Sequence, residues 1–169
     1  MYTVKGHEGK PIISTSDGRK VGEIKGFYLD PQITQVEALY LGKEGVLRRK
    51  KVAVDEEHIA LWGIDAFLVS SSDIVTDPQN LPEAAEFIFA ADFWGREIET
   101  DGGTKIGTVD DIMLDRDGKV LGFALGKVHV QGPIAERKGI GRSAFISFGS
   151  ATESMKISLE RAEETEIPK

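Results

Sequence analysis

Ser16-Asp17-Gly18-Arg19-Lys20-Val21-Gly22-Glu23-Ile24-Lys25-Gly26-Phe27-Tyr28-Leu29-Asp30 is a stretch that the chain uses twice. Its second version is Asp101-Gly102-Gly103-Thr104-Lys105-Ile106-Gly107-Thr108-Val109-Asp110-Asp111-Ile112-Met113-Leu114-Asp115. Gly22 falls on Gly107 at an offset of 85 residues, and the same offset carries Lys20 onto Lys105, Leu29 onto Leu114 and Asp30 onto Asp115. Apolar positions follow: Val21 with Ile106, Ile24 with Val109, Phe27 with Ile112. A repeat of this period describes two copies of one small domain. It does not describe a solenoid, whose units are shorter and more numerous.

Outward from the repeat, the chain reads as short strands separated by turn residues. In the first copy the expected strands are 10–14, 20–29, 36–42, 48–54 and 66–69, with one helical turn at Asp55-Glu56-Glu57-His58, capped by Asp55. Asp17-Gly18 supplies the first hairpin turn, since Gly takes positive φ and Asp bonds its own backbone. Alternation slips once near Lys25-Gly26 and again at Asp110-Asp111, which predicts a β-bulge in each copy. A repeated bend suits a small closed barrel. Val36 to Gly42 matches Val120 to Gly126, and both copies end in Leu-Gly-Lys. The second copy then lengthens through Gln131-Gly132-Pro133 and Lys138-Gly139-Ile140-Gly141-Arg142, read as a mobile loop. The expected fold class is all-β: two tandem small antiparallel β-barrels with short helical turns. The expected boundaries are 1–77 for the first domain, 78–86 for a Pro-rich linker, 87–160 for the second domain, and 161–169 for an acidic, disordered tail.

Bulk properties narrow the function. The 169 residues carry a net charge of −7 and contain no cysteine. Disulfides, thiolate metal sites, iron–sulfur clusters and cysteine nucleophiles are thereby excluded. Neither half has the positive excess that phosphate-backbone binding needs, so no DNA binding is expected. Met1-Tyr2-Thr3-Val4-Lys5 is not apolar, so no signal peptide is expected. The apolar stretch from Ile59 to Val69 is interrupted by Gly63 and Asp65 and is too short to span a bilayer. The expected location is the cytoplasm, with peripheral attachment at the inner membrane face as a variant.

Each copy begins with a Gly and a β pair, Gly9-Lys10-Pro11-Ile12 and Gly95-Arg96-Glu97-Ile98. Each continues through an Asp-Gly turn to the hydrophobic-Gly-x-hydrophobic-x-x-aliphatic-x-Leu-Asp strand and ends in Leu-Gly-Lys. This pattern resembles the PRC-barrel family in a tandem arrangement, over about residues 5–75 and 91–159. That family includes the cytoplasmic domain of the photosynthetic reaction-centre H subunit and the C-terminal domain of the ribosome maturation factor. The resemblance implies six-stranded small barrels that bind partners and have no shared catalytic residues.

Candidate sites follow from charge and aromatic clustering. Arg48, Arg49, Lys50 and Lys51 form either an anion or partner site or a solvated hairpin edge guarded against pairing. Trp62, Phe87, Phe89, Phe93 and Trp94 form a candidate interdomain seam, or an exposed recognition patch. Asp115-Arg116-Asp117-Gly118 begins like a calcium loop but lacks the remaining ligands, and a hairpin turn accounts for it. Gly139-Ile140-Gly141 is a faint phosphate-loop signal against a flexible hairpin. His7, His58 and His129 share no spacing, and no catalytic, cofactor-binding or metal-binding residue is assigned. The expected function is a non-enzymatic adaptor docking on a protein complex. The alternative is an RNA- or ribosome-associated small-barrel factor using residues 48–51. A third reading is an enzyme with a site between domains using His7, His58 or Asp92. A protein partner is expected, with weak, salt-sensitive binding of anionic lipid or RNA; the oligomeric state stays open.

Overall fold

A computed structural model describes residues 1–45 and 50–167. The chain divides into two compact units. The N-terminal unit comprises Val4–Ala90 and Arg116–Lys119; the C-terminal unit comprises Met1–Thr3, Ala91–Asp115 and the chain from Val120 onward.

The chain opens with β1 (Tyr2–Thr3), which belongs to the C-terminal unit, and the single-turn helix α1 (Val4–His7). In the N-terminal unit follow β2 (Pro11–Ser14), β3 (Lys20–Glu23), β4 (Gly26–Leu29), β5 (Val36–Glu44), β6 (Lys50–Asp55), β7 (Ile59–Trp62), β8 (Phe67–Val69), β9 (Val75–Thr76) and β10 (Ile88–Phe89). They pair in the orders β3-β2-β8-β7 and β10-β4-β5-β6-β9. The slip near Lys25 is the junction of these sheets. The Ile24 amide donates to the Lys10 carbonyl at 3.0 Å, whereas the next amide, Lys25, donates to the Tyr40 carbonyl at 2.7 Å. Two adjacent residues thus serve different ladders, and the strand expected over 20–29 is two strands. The predicted turn chemistry is present. Gly18 has φ 69°, and the Arg19 amide donates to Asp17 at 3.0 Å. Asp55 accepts from the Glu57 amide at 3.0 Å, capping a 3₁₀ turn over Glu56–His58.

The turn after β4 is fixed by Asp30. Its carboxylate accepts from the Thr34 amide and hydroxyl, both at 2.6 Å, and from the Gln35 amide at 2.8 Å. That clamp holds buried Ile33 at φ 55°, a left-handed conformation costly for a β-branched residue.

The C-terminal unit contains β11 (Glu97–Thr100), β12 (Lys105–Leu114), β13 (Val120–Val128), helix α2 (Pro133–Arg137), β14 (Gly139–Gly141), β15 (Phe145–Ser147), β16 (Met155–Ile157) and helix α3 (Leu159–Glu164). Its sheet runs β14-β13-β12-β11-β16-β15, with β1 on β12. Here the second strand of the repeat is unbroken, and its ladder to β13 shifts register between Val109 and Asp111, at the predicted bulge.

No sheet among the described residues closes on itself by strand pairing. Two expectations change. Each unit contains one parallel pair, β2 with β8 and β11 with β16, because the last strands return from far along the chain and no tight turn sets their direction. The region after Gly132 is built of α2 and β14 with Gly139, Ile140 and Gly141 buried, and residues 161–164 of the expected tail belong to α3. Ser158 caps α3, Ala162 is buried, and the Arg137 guanidinium donates to the Glu163 carbonyl at 2.5 Å and to the Thr165 carbonyl. The Arg137 anchor comes from a residue too distant to be read locally.

Candidate functional site

Of the basic run, Arg48 and Arg49 lie outside the described residues. Lys50 and Lys51 open β6 and are exposed. The register sets Lys50 opposite Glu44 and Lys51 opposite Lys43. Like charges directly opposite are unfavourable, so an anion lying across Lys43 and Lys51 would relieve the pair. The depression beside them is also bordered by Glu44 and Asp77, so its field is mixed.

The N-terminal unit builds an aromatic core around a histidine. His7 ends α1 and is 1% exposed. Its ring lies 5.0 Å from Phe67, 5.9 Å from Trp62 and 6.0 Å from Phe27. The Lys10 ammonium stands 2.9 Å from His7 Nδ1 and also donates to the Gly63 carbonyl at 3.3 Å. An ammonium offers only donors, so Nδ1 accepts and the neutral ring carries its proton on Nε2. Burial first, and the Lys10 charge second, lower the His7 pKa from 6.5 to about 4. Trp62 is half-buried, stacked 6.2 Å from Phe27 and tilted against Phe67 at 4.9 Å. Gly118, at φ 83°, leaves room for that indole: a Cβ there would stand 2.4 Å from it.

The C-terminal unit repeats this arrangement with other side chains. In the first copy Gly9 donates to Ile24, Ile24 to Lys10 and Lys10 to His7; in the second Gly95 donates to Val109, Val109 to Arg96 and Arg96 to Phe93. Phe93 therefore occupies the place of His7, and Arg96 that of Lys10. Phe93 is buried, 5.4 Å from Phe123. The Arg96 guanidinium covers the Phe93 ring at 4.3 Å and donates to the Phe148 carbonyl at 2.8 Å. Half-buried Trp94 closes the 3₁₀ turn, its amide donating to Ala91 at 3.1 Å.

Phe87 and Phe89 belong to the N-terminal unit. Phe89 lies 5.2 Å from Tyr28 and 5.6 Å from Tyr40, and Phe87 lies 6.4 Å from Tyr28. Phe89 presses on the backbone of Gly26, where a Cβ would stand 2.5 Å from its ring. The structure thus sorts the aromatic candidates: Trp62, Phe87 and Phe89 with the N-terminal unit, Phe93 and Trp94 with the C-terminal unit. His58 and Asp92 are exposed, whereas His7 is buried. Sequence reasoning missed Lys10, Tyr28, Tyr40 and Arg96. The shared spacing of Lys10 from His7 and Arg96 from Phe93 was the available signal.

Among the described residues no group of three His, Cys, Asp or Glu is arranged to hold a metal ion, and no helix is long and apolar enough to cross a membrane. No curated protein matches the chain. Residues 85–156 match the family model of the PRC-barrel domain.

Proposed function

We propose that the chain is a non-enzymatic docking module made of two PRC-type repeats, each a small barrel, that holds a protein partner as an adaptor in the cytoplasm or at the inner membrane face. The observation that carries this reading is the recurrence, in both halves, of the same hydrogen bonds around Gly9 and Gly95 and the same parallel closing pair. The PRC-barrel match of residues 85–156 supports it for the second repeat. The first repeat spends its one buried histidine on core packing against Phe27, Trp62 and Phe67. Two linked modules raise avidity when both engage one partner. The test places a photo-crosslinking residue at exposed Leu61 and, separately, at exposed Ile146 in cells producing the chain at native level. A discrete crosslinked protein, which then binds the purified chain stoichiometrically, is the expected result. Absence of any stoichiometric partner overturns the reading.

A second reading, binding of RNA or an anionic surface through residues 48–51, is favoured by the Lys43–Lys51 apposition, which an anion would relieve.

A further inference from the structure

We propose that the hollow lined by Tyr28 and Phe87 is a docking site for an arginine side chain presented by a basic segment of a partner protein. This rests on the docking reading above and names the chemistry its partner must carry.

The hollow has a volume of about 230 Å³ and is lined by Tyr28, Pro78, Gln79, Ala84, Ala85 and Phe87. Sites for small molecules span about 300–1,000 Å³, so this one suits a single side chain. Its walls are two half-buried rings, Tyr28 and Phe87, 6.4 Å apart and tilted by 38°. They are held from below: Tyr28, Ala84 and Phe87 pack on the buried cluster of Ala38, Ala53 and Leu81. Phe89 braces Tyr28 from the side at 5.2 Å. The two rings thus sit half-buried on a packed base and line the hollow.

Charge selects the occupant. From Val52 to Gly95 the sequence has nine Asp/Glu and no Lys or Arg. Asp77, Glu83 and Glu86 all fall within or beside the segment that lines the hollow. Asp77 is held in place, accepting from the Gln79 amide at 2.9 Å. Burial, then Tyr40, then the Asp77 charge raise the Tyr28 pKa above its ordinary value, so its phenol stays protonated. Rings that offer negative faces beside carboxylates attract a cation. Among cations, guanidinium is planar and weakly hydrated, and it stacks on aromatic faces where an ammonium stays solvated. The chain already contains this contact, in Arg96 over Phe93 at 4.3 Å. A neutral proline-rich peptide would use the rings but gain nothing from the acids.

The test titrates the full chain, at low salt, with a short Gly/Ser peptide carrying one central arginine, following the ring signals of Tyr28 and Phe87 by NMR. Its controls are the same peptide with citrulline, and an uncharged proline-rich peptide. The arginine peptide is expected to shift both rings; citrulline is expected to leave them unmoved. Phe87→Leu keeps apolar volume and removes the π face, and should weaken binding about five- to thirtyfold. Asp77→Asn keeps the cap acceptor, serves if Phe87→Leu does not fold, and should weaken binding severalfold. Equal binding of citrulline or the proline-rich peptide, or no shift at either ring, overturns the proposal. If a stoichiometric partner binds Phe87→Leu as tightly as wild type, the arginine site falls while the docking reading stands. If the arginine peptide binds but no partner exists, only the docking reading falls.

Discussion

Replacing His7 with phenylalanine, the residue of the same place in the second repeat, should flatten the acid limb of the stability profile. His7 has a folded pKa of about 4 against an ordinary 6.5. Its folded value is depressed, so the folded state prefers the neutral ring. The associated stability is fully present above about pH 6.5 and is lost as pH falls, because the unfolded chain takes up the proton first. The gap between 6.5 and about 4 corresponds to about 3 kcal/mol, of which about 2 is already gone at pH 5. His7 is 1% exposed, so solvent screening does not reduce that figure much. The assay is urea unfolding of the full chain at pH 7, 5.5 and 4, for wild type, for His7→Phe, and for His7→Phe with Lys10→Arg. Carboxylates shared by all three chains cancel in the differences. Wild type should lose about 3 kcal/mol more than His7→Phe between pH 7 and 4. Lys10→Arg should then recover stability, by copying the Arg96–Phe93 contact. Parallel pH profiles for wild type and His7→Phe would refute the reasoning, since another group would then carry the acid sensitivity.

Asp30→Ala should cost about 1–3 kcal/mol by urea midpoint, because it strips the carboxylate from the Thr34 and Gln35 amides; Asp30→Asn should recover part of it. Gly107→Ala should cost about 1–3 kcal/mol, since its Cβ would meet the Lys127 carbonyl oxygen at 2.1 Å. Gly102→Ala, whose nearest neighbour is 3.8 Å away, should be near neutral in the same melts. Lys50→Glu with Lys51→Glu should abolish any binding to anionic vesicles or RNA seen at low salt. In the wild type that binding should fade at physiological salt, where the Debye length is about 8 Å; tight binding indifferent to salt would contradict the electrostatic account.

Much of this architecture was legible in the chain because its signals are local. Gly18 takes positive φ beside Asp17, Asp55 caps the turn that follows it, and Asp110 interrupts alternation within its own strand. Each depends on a few neighbours, so composition and spacing suffice. The repeat added register: the same offset that aligned Gly22 with Gly107 aligns the strands that carry them.

What the tertiary structure decided involves partners far along the chain. The slip at Lys25 was visible, but only the Lys10 and Tyr40 carbonyls, one on each side of Ile24-Lys25, make it a junction of two sheets. The direction of β8 against β2 is set by pairing Ile12 with Phe67, with no turn to dictate it. Leu159–Glu164 form a helix whose C-terminal end Arg137 anchors, through the Glu163 and Thr165 carbonyls. His7 looked like an isolated polar residue; packing against Phe27, Trp62 and Phe67 makes it the counterpart of Phe93. Alternation and turn chemistry are properties of neighbouring residues, whereas burial and strand partnership belong to surfaces that exist only once distant segments have met.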